Sequence, residues 1–459
     1  MCGIFGVHGH SDATHLAHLG LYSLQHRGQE SAGVVSIDDA GNARAVRSMG
    51  TLSDAFAAEL AKMSGVSAIG HTRYSTSGSS TIENAQPVVA RSKGGYITLA
   101  HNGNITNAAE LRRDLEEQGS IFASTSDSEL IVHRLARSTA ATPADRLAEA
   151  LTGVEGAYSL IVAIGDVLLA ARDPRGWRPL AMGRLGDAMV FASETCALDI
   201  VGATVEREVE AGEIVSVNGD GVRSIHPLPA KDLKRCVFEY VYFARPDSRV
   251  FGGSVDRARR ALGRQLAREF PAPGAQLVFS VPDSSNSAAL GFAEESGIPY
   301  ELALIRNHYV GRTFIQPTQA GRDAKVKVKY NPVREVLEGK SVVMVDDSIV
   351  RGTTTRGLVA LVRAAGAREV HMRVSSPPVT GPCYYGIDTP SREELVAANY
   401  TIPEIAVRLG VDSLGYLSLD GMLESVPLGP GGFCHACFSG DYPTAPPTDP
   451  DKLRFGCGC

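Results

Sequence analysis

The second residue of the chain is a cysteine, Cys2. We expect it to become the first residue once Met1 is removed, because a small second residue permits that removal. An N-terminal cysteine carries a thiol and a free α-amine in one residue. The amine, with an ordinary pKa of about 7.7–8, can take the proton of a thiol whose ordinary pKa is about 8.5. Nucleophiles that use the N-terminus as their base work in this way. A lone cysteine at this position is, however, more often structural or incidental.

Three further motifs could serve such a nucleophile. Arg73, in His-Thr-Arg-Tyr, follows an apolar run and could hold a substrate carboxylate with its planar guanidinium. Asn102 and Gly103 follow another apolar run. A side-chain amide beside a backbone N–H makes an oxyanion hole, and losing one such donor costs about 3–4 kcal/mol. Asp127 offers a carboxylate for a substrate ammonium, although capping the helix that follows is an equally natural role.

A second constellation lies further along the chain. The apolar, strand-length run Ser341–Val345 is followed directly by Asp346 and Asp347, and Gly352-Thr-Thr-Thr then opens a helical pattern. Backbone N–H groups, hydroxyls and the helix dipole suit a phosphate there. Two adjacent carboxylates suit ribose hydroxyls and a Mg²⁺ ion. Capping of the helix N-terminus would explain one aspartate but explains two adjacent aspartates less well.

Charge is unevenly distributed. The chain has a net charge of −6, yet six basic residues and one acidic residue lie between Ile305 and Tyr330. This local surplus predicts a highly anionic small ligand, although a solvated basic loop would look the same. The overall negative charge argues against general nucleic-acid binding. We find no membrane-length apolar run and no signal peptide, so we expect a cytoplasmic protein without membrane contact.

The eight cysteines of this 459-residue chain do not look like a disulfide framework. Cys434-His-Ala-Cys437 is a C-x-x-C half-site that could hold zinc, a redox couple or a cluster, and its spacing alone favours zinc. We expect Cys196 to be an ordinary buried thiol. Cys457 and Cys459 belong to a proline-rich tail.

Two patterns of elements must position these residues. Short β-like runs separated by helical patterns fill the first half and indicate a layered α+β domain. In the second half, apolar runs alternate with helical patterns, which indicates a parallel sheet covered on both faces. We place a first domain at residues 2–230, a second domain at 231–443 and a tail at 444–459.

Five ordered motifs resemble the N-terminal-nucleophile glutamine amidotransferases: Cys-Gly-Ile-Phe-Gly, Gln-His-Arg-Gly-Gln-Glu, His-Thr-Arg, His-Asn-Gly-Asn and Ser-Asp-Ser-Glu. The resemblance implies a four-layer αββα domain in which Cys2 attacks the glutamine side-chain amide, forms a glutamyl thioester and releases ammonia. Asn102 and Gly103 would hold the oxyanion. The glutamine ligands that it implies are Arg27, Arg73 and Asp127.

The run around the two aspartates resembles the signature with which type I phosphoribosyltransferases bind phosphoribosyl pyrophosphate (PRPP). From Val281 to Arg351 the sequence is similar to the glutamine PRPP amidotransferases. The resemblance implies a doubly wound parallel sheet and attack of ammonia on C1 of PRPP, the first step of purine biosynthesis. The implied Mg²⁺ ligands are Ser284, Asp346 and Asp347. The implied PRPP ligands are Asp346, Asp347, Ser348, Val350, Arg351, Gly352, Thr353 and Thr354, with Arg312 and Lys325 from a closing loop.

The contexts of four cysteines resemble the iron–sulfur branch of that family. The resemblance implies a structural 4Fe–4S cluster that joins the two domains through Cys236, Cys383, Cys434 and Cys437. It also implies a homotetramer inhibited by purine nucleotides. Trp177 departs from the family pattern, which has a smaller apolar residue or phenylalanine there.

Two rival functions fit the sequence less well. Glutamine-dependent synthases that act on fructose 6-phosphate or aspartate would carry a sugar-isomerase or ATP-pyrophosphatase module in the second half. A non-catalytic PRPP-sensing regulator need not keep Cys2, Arg73, Asn102 and Asp127, and this chain has all four.

Overall fold

A computed structural model describes residues 1–74, 78–308 and 328–447. The strands of the first half are β1 (Gly3–His8), β2 (Ser31–Ile37), β3 (Ala43–Met49), β4 (Ser67–Arg73), β5 (Val88–Ser92), β6 (Gly95–Ile105), β7 (Gly156–Ile164), β8 (Val167–Arg172), β9 (Ala181–Leu185), β10 (Ala188–Ala192), β11 (Thr204–Glu208), β12 (Ile214–Asn218) and β13 (Gly221–Ile225). Its helices are α1 (Ala13–Ser23), α2 (Asp54–Leu60), α3 (Ala108–Glu117), α4 (Ser128–Arg137), α5 (Pro143–Leu151) and α6 (Cys196–Ile200).

These strands form two antiparallel sheets that pack face to face. One has the order β11-β9-β10-β1-β4-β2-β3 and the other β13-β12-β8-β7-β6-β5. Ile4 and Ile69 of the first sheet share a buried core with Ile161 and Leu168 of the second. Helices α1, α2 and α6 cover the outer face of the first sheet, and α3, α4 and α5 cover that of the second. The predicted four-layer αββα arrangement is therefore present.

The strands of the second half are β14 (Arg235–Cys236), β15 (Arg249–Val250), β16 (Gly253–Ser254), β17 (Leu277–Ser280), β18 (Leu304–Arg306), β19 (Tyr330–Pro332), β20 (Ser341–Asp346), β21 (Glu369–Val374), β22 (Ser413–Tyr416) and β23 (Phe433–Cys434). Its α-helices are α7 (Val255–Glu269), α8 (Asn286–Ser296), α9 (Arg334–Leu337), α10 (Thr353–Ala364), α11 (Val396–Asn399), α12 (Ile402–Leu409), α13 (Leu419–Ser425) and α14 (Ala436–Ser439). A π-helix spans Glu239–Phe243, and 3-10 turns span Ile82–Asn84 and Arg392–Glu394.

A parallel sheet of order β17-β20-β21-β22 is the centre of the second half. Helices α7 and α8 pack on one face, and α10 and α12 pack on the other. Every residue of β20 is buried, as expected for a central strand covered on both faces. The predicted doubly wound arrangement is therefore present, and the carboxyl end of β20 carries the two aspartates.

Residues 226–234, all described, contain no helix or strand and separate the two halves. The exact domain boundary stays a prediction, because contacts cross it: the backbone N–H of Cys236 donates to the carbonyl of Trp177 at 3.1 Å. Among the described residues, no helix combines the length and apolar character needed to cross a bilayer.

Candidate functional site

Cys2 lies immediately before β1, whose first residue, Gly3, pairs with Thr72 of β4. The backbone nitrogen of Cys2 donates to Oδ1 of Asn102 at 3.2 Å, and its sulfur lies 3.7 Å from the carbonyl oxygen of Tyr74. Asn102 belongs to β6 of the other sheet. Motifs that are far apart in the sequence therefore meet where the ends of β1, β4 and β6 converge.

The predicted oxyanion residues are suited to donate hydrogen bonds to a bound oxygen. The amide nitrogen Nδ2 of Asn102 is buried and has no hydrogen-bond acceptor among the described residues. Burying such a donor without a partner costs about 1–3 kcal/mol, which a ligand oxygen would relieve. The next residue, Gly103, has φ +154°, and a Cβ there would lie 1.9 Å from the carbonyl oxygen of Ala157. Only glycine fits this position.

Arg73 and Asp127 are the two other residues predicted to bind the substrate of this site. Arg73 ends β4, and its guanidinium donates to the carboxylate of Glu30 and to the carbonyl oxygen of Ser79. Asp127 precedes α4 but makes no side-chain capping bond. Its Oδ2 instead accepts from the backbone N–H of Ile105 at 2.9 Å, three residues beyond Asn102. The helix-capping alternative is therefore not what this side chain does. The glutamine-binding roles of both residues stay predictions.

Arg27 has a different environment from the one expected of a substrate ligand. Its side chain is fully buried, its Nε donates to Glu194, and its Nη2 donates to Glu239 at 2.6 Å. Both carboxylates belong to the protein itself. The contacts therefore support a structural role for Arg27, and the prediction that it binds glutamine receives no support from them.

Arg27 belongs to a buried ion network, which we define as Arg27, Arg178, Glu194 and Glu239; Arg178 lies 3.7 Å from Glu239. Burial alone would raise the pKa of Glu194, but the charges of Arg27 and His26 lower it overall. The network lies next to the predicted glutamine site, since a Cβ on Gly28, the residue after Arg27, would lie 2.6 Å from the backbone of Thr72 and Arg73 in β4.

Asp346 and Asp347, the acidic pair, end the central strand of the parallel sheet. Hydroxyl groups surround them: Ser284 donates to Asp347, Ser285 donates to Asp346 at 3.1 Å, and Ser348 donates to Asp347 at 2.7 Å. Burial raises the pKa of both carboxyls, and for Asp346 the charge of its neighbour adds to the effect. Among the described residues, no lysine or arginine forms a salt bridge with either carboxylate.

The loop after the acidic pair leads into α10. Gly352 has φ +74° and caps the N-terminus of this helix in the left-handed conformation that glycine adopts readily. Thr353 and Thr354 are exposed at the first turn, and Arg351 pairs with Glu394 at 3.0 Å. The other predicted PRPP ligands on this loop are Ser348 and Val350. Arg312 and Lys325 lie outside the described residues.

The four predicted cluster cysteines come from separate elements. Strands β14 and β23 pair in parallel, which places Cys236 opposite Cys434. Cys437 lies on α14, and Cys383 lies in the connection after β21. All four are free thiols and line a single cavity, which we call the cysteine cavity. Trp177 and Arg178 of the first half also line it.

Burial raises the pKa of the Cys236 thiol to about 12 and that of Cys434 to about 11, and the nearby Arg178 guanidinium opposes both rises. No three of the four sulfurs all lie within 4.8 Å of one another. A single tetrahedral zinc ion, with zinc–sulfur bonds of about 2.3 Å, would hold its sulfurs closer than that.

The residues that follow Cys383 connect the cysteine cavity to the site around Cys2. Asn104 Nδ2 donates to the carbonyl oxygen of Tyr384 at 2.8 Å, and Arg178 Nε donates to that of Tyr385 at 3.0 Å. A Cβ on Gly386 would lie 2.9 Å from the backbone of Gly103. A segment of the second half therefore packs directly against the oxyanion strand of the first.

Several residues at these sites were not predicted. Glu194, Glu239 and Ser285 carried no motif signal of their own, because each acts through a partner that is distant in the sequence. Glu239 did stand inside the Cys-Val-Phe-Glu context of Cys236, and Arg178 stood beside Trp177 in Arg-Asp-Pro-Arg-Gly-Trp-Arg. Those two contexts point to the cysteine and the tryptophan and give no sign of the roles of Glu239 and Arg178.

A family model described as a glutamine amidotransferase domain matches residues 71–199. With the geometry around Cys2, this match defines the class of the first half as a glutamine amidotransferase, here joined to a parallel-sheet domain with an acidic ligand loop. The chain is 49% identical over 449 residues to the amidophosphoribosyltransferase of Bacillus subtilis, covering 96% of this chain and 94% of the relative. It is 46% identical over 458 residues to that of Archaeoglobus fulgidus, covering 97% and 99%.

Solved structures agree. A glutamine PRPP amidotransferase from B. subtilis, complexed with ADP and GMP, matches with a TM-score of 0.91 at 48% identity over 97% of this chain and 98% of that one. A structure described as the allosteric regulatory enzyme of purine biosynthesis matches with a TM-score of 0.93 over 99% of both chains, also at 48% identity. The chain belongs to the amidophosphoribosyltransferase family. The predictions of family, fold class and enzyme class, and of a function in the first step of purine biosynthesis, are confirmed.

Proposed function

We propose that the chain hydrolyses glutamine at Cys2 and uses the released ammonia to displace pyrophosphate from PRPP. The observation that carries the first half-reaction is the contact of Cys2 with Asn102, whose buried amide N–H has no acceptor in the part of the chain that the structure describes. The thiol sulfur would attack the glutamine amide carbon, and Asn102 Nδ2 with the Gly103 N–H would receive the oxyanion. Collapse would release ammonia and leave a thioester, which water cleaves to glutamate.

Removal of Met1 would place the base for this reaction. The α-amine of Met1 is buried, and burial lowers its pKa to about 5. The Met1 side chain is also buried, and Arg178 donates to its sulfur at 2.6 Å. Once Met1 is absent, the Cys2 amine would stand where its backbone nitrogen now contacts Asn102. It could then take the thiol proton and return it to the departing ammonia.

The second half-reaction would occur at the acidic pair. Two buried carboxylates among serine hydroxyls, with no cation paired to them in the described chain, favour a ligand that carries hydroxyls or a hard cation. We propose that Asp346 and Asp347 bind the ribose hydroxyls and Mg²⁺, with Ser284 beside them, and that the Gly352–Thr354 turn binds the 5′-phosphate. When bound, Mg²⁺ would neutralise charge on the leaving pyrophosphate.

Replacing the nucleophile tests this division of labour. Cys2→Ala should abolish glutamine-dependent formation of phosphoribosylamine while leaving the reaction with free ammonia within about twofold of wild type. Cys196→Ala, which removes another buried thiol of the same half, is the matched control and should keep both activities. Loss of the ammonia reaction in a folded Cys2→Ala protein would contradict the proposal. Absence of both activities in the wild-type protein would favour a PRPP-sensing regulator.

We propose further that the cysteine cavity holds a 4Fe–4S cluster. Four free thiols around one cavity, three of them buried and Cys383 partly buried, are the donor set of such clusters, and their wide spacing is less suited to one zinc ion. The cluster would join the two halves and take no part in either transfer. Protein purified without oxygen should be brown and contain about four iron and four sulfide per chain, and Cys437→Ser should lose both. Stoichiometric zinc without iron would contradict this.

Regulation and assembly stay proposals. The structure matched at 48% identity was solved with ADP and GMP, and we propose that purine nucleotides also inhibit this chain. A homotetramer and a cytoplasmic location remain expectations from the sequence. Sedimentation of the purified protein with and without GMP would test the homotetramer, and a dimer or monomer at all concentrations would contradict it.

A further inference from the structure

Trp177 is the single tryptophan of the chain and lies beside the cysteine cavity. It stands in the loop between β8 and β9, and its backbone N–H donates to the carboxylate of Asp173 at 3.2 Å. Its ring is 1% exposed and stacks on that of Tyr385, with centroids 4.4 Å apart and planes 17° apart. The loop and the stacked ring therefore fix the orientation of the indole.

The polar atom of this side chain has no conventional partner. Trp177 Nε1 is inaccessible to water, and no acceptor among the described residues meets the geometry of a hydrogen bond with it. Leaving such a donor unpaired costs about 1–3 kcal/mol, so an acceptor is expected in the assembled protein. Cys434 belongs with Trp177 to one buried cluster that lines the cysteine cavity, so we take its sulfur as the acceptor for this N–H.

We propose that Trp177 donates its indole N–H to the Cys434 sulfur of the bound cluster and thereby raises the reduction potential of that cluster. This inference rests on the proposed 4Fe–4S cluster. Hydrogen bonds to the sulfurs and solvent exposure both set the potentials of such clusters. Reduction adds negative charge, which an N–H dipole pointing at the sulfur stabilises. The smaller apolar residue or phenylalanine of the family pattern would have no such donor.

The test is Trp177→Phe, which keeps an aromatic ring against Tyr385 and removes the N–H. Iron and sulfide content is measured first in both proteins. A wild-type protein without iron would refute the proposed cluster, whereas loaded proteins allow the inference itself to be tested. Potentiometric titration followed by electron paramagnetic resonance should then show that reduction is about tenfold less favourable in Trp177→Phe, a fall of about 59 mV for one electron.

The direction of the shift separates this role from a packing effect. If the smaller ring only admitted water, the exposed cluster would become easier to reduce and the potential would rise. Tyr442→Phe is the matched control, because Tyr442 lines the same cavity but its hydroxyl donates to the carbonyl oxygen of Pro382 at 2.7 Å. Its potential should equal that of wild type. An unchanged or raised potential in Trp177→Phe would overturn the proposal.

A second measurement needs no variant. Because the chain has one tryptophan, protein produced in cells supplied with indole-¹⁵N tryptophan carries the label at Trp177 alone. In the reduced, paramagnetic state, electron–nuclear double resonance should detect this nitrogen and an exchangeable proton coupled to the cluster. The absence of both couplings in a loaded protein would refute the hydrogen bond, whatever the behaviour of Trp177→Phe.

Discussion

Buried charge is organised in opposite ways in the two halves of the molecule. The buried ion network sets two arginines against two glutamates, all fully buried. The acidic pair at the end of β20 sets two carboxylates side by side, and their hydrogen-bond donors among the described residues are hydroxyl and backbone groups. Accordingly, the pKa of Glu194 is lowered by its cationic neighbours, whereas burial raises the pKa of both aspartates.

This difference shows how to separate structural charge from functional charge. A buried charge that the chain itself neutralises leaves nothing for a ligand to do, which is why the contacts of Arg27 support a structural role. A buried charge that the chain leaves uncompensated is costly, and a bound cation or hydroxyl-rich ligand relieves that cost. By this criterion we predict that the acidic pair binds a ligand, whereas the network holds the two halves together through Glu239.

Breaking the network should have the largest effect on stability. Arg27→Met keeps the length of the side chain but leaves two buried carboxylates undercompensated, and we expect unfolding to become easier by about 3–5 kcal/mol. Denaturant unfolding measures the change. Arg184→Met, which breaks the partly exposed pair with Glu206, should have little effect. A stable Arg27→Met protein with a raised KM for glutamine alone would instead support the predicted ligand role.

Neutralising one member of the acidic pair should lower activity but raise stability. Asp347→Asn should slow PRPP turnover about a hundredfold with either nitrogen donor, the scale for losing one electrostatic group at a reacting centre. The metal-free protein should nevertheless become more stable by about 1–2 kcal/mol, because a like-charge contact is removed. Steady-state kinetics and thermal unfolding in EDTA test both parts. Unchanged kinetics would remove the acidic pair from the active site.

The stability contributions of the acidic pair and of Glu194 should also change with pH in opposite directions. The raised pKa of each aspartate means that the folded chain binds protons more tightly than the unfolded one, so their contribution is most favourable at low pH and is lost as pH rises. The lowered pKa of Glu194 acts in reverse, and its contribution is lost as pH falls. The stability of wild type minus that of an Asp346→Asn, Asp347→Asn double variant should fall as pH rises above about 4, the ordinary pKa of an aspartate. A difference that rises would contradict this assignment.

Features formed by neighbouring residues could be predicted from the sequence. Strand β20 begins at Ser341 as expected and extends one residue further, to Asp346, and α10 starts at Thr353, directly after Gly352, as the Gly352-Thr-Thr-Thr pattern indicates. Local hydrophobic pattern and turn residues determine such elements. The acidic pair was identified for the same reason, since strand, carboxylates, glycine and helix are contiguous.

Features formed by distant residues could not be predicted in this way. The partners of Arg27 lie 167 and 212 positions along the chain, so its motif gave no sign that the guanidinium is neutralised internally. The convergence of the four cysteines was likewise implied by a family resemblance, and the spacing of Cys434 and Cys437 alone favoured zinc. The resemblance also marked Trp177 as unusual, but only the structure shows that it packs in one buried cluster with Cys434.

The smallest expected effect concerns a third arrangement of charge, balanced but exposed. Arg351 and Glu394 pair beside the predicted phosphate loop, with 51% of each side chain exposed. Glu394→Gln should change stability by less than about 1 kcal/mol, because solvent screens such pairs. If Arg351 binds PRPP as predicted, releasing it from Glu394 should lower the KM for PRPP by about two- to threefold with kcat unchanged. A raised KM would mean that Glu394 holds Arg351 in its binding position, and exposed pairing would then be part of the site.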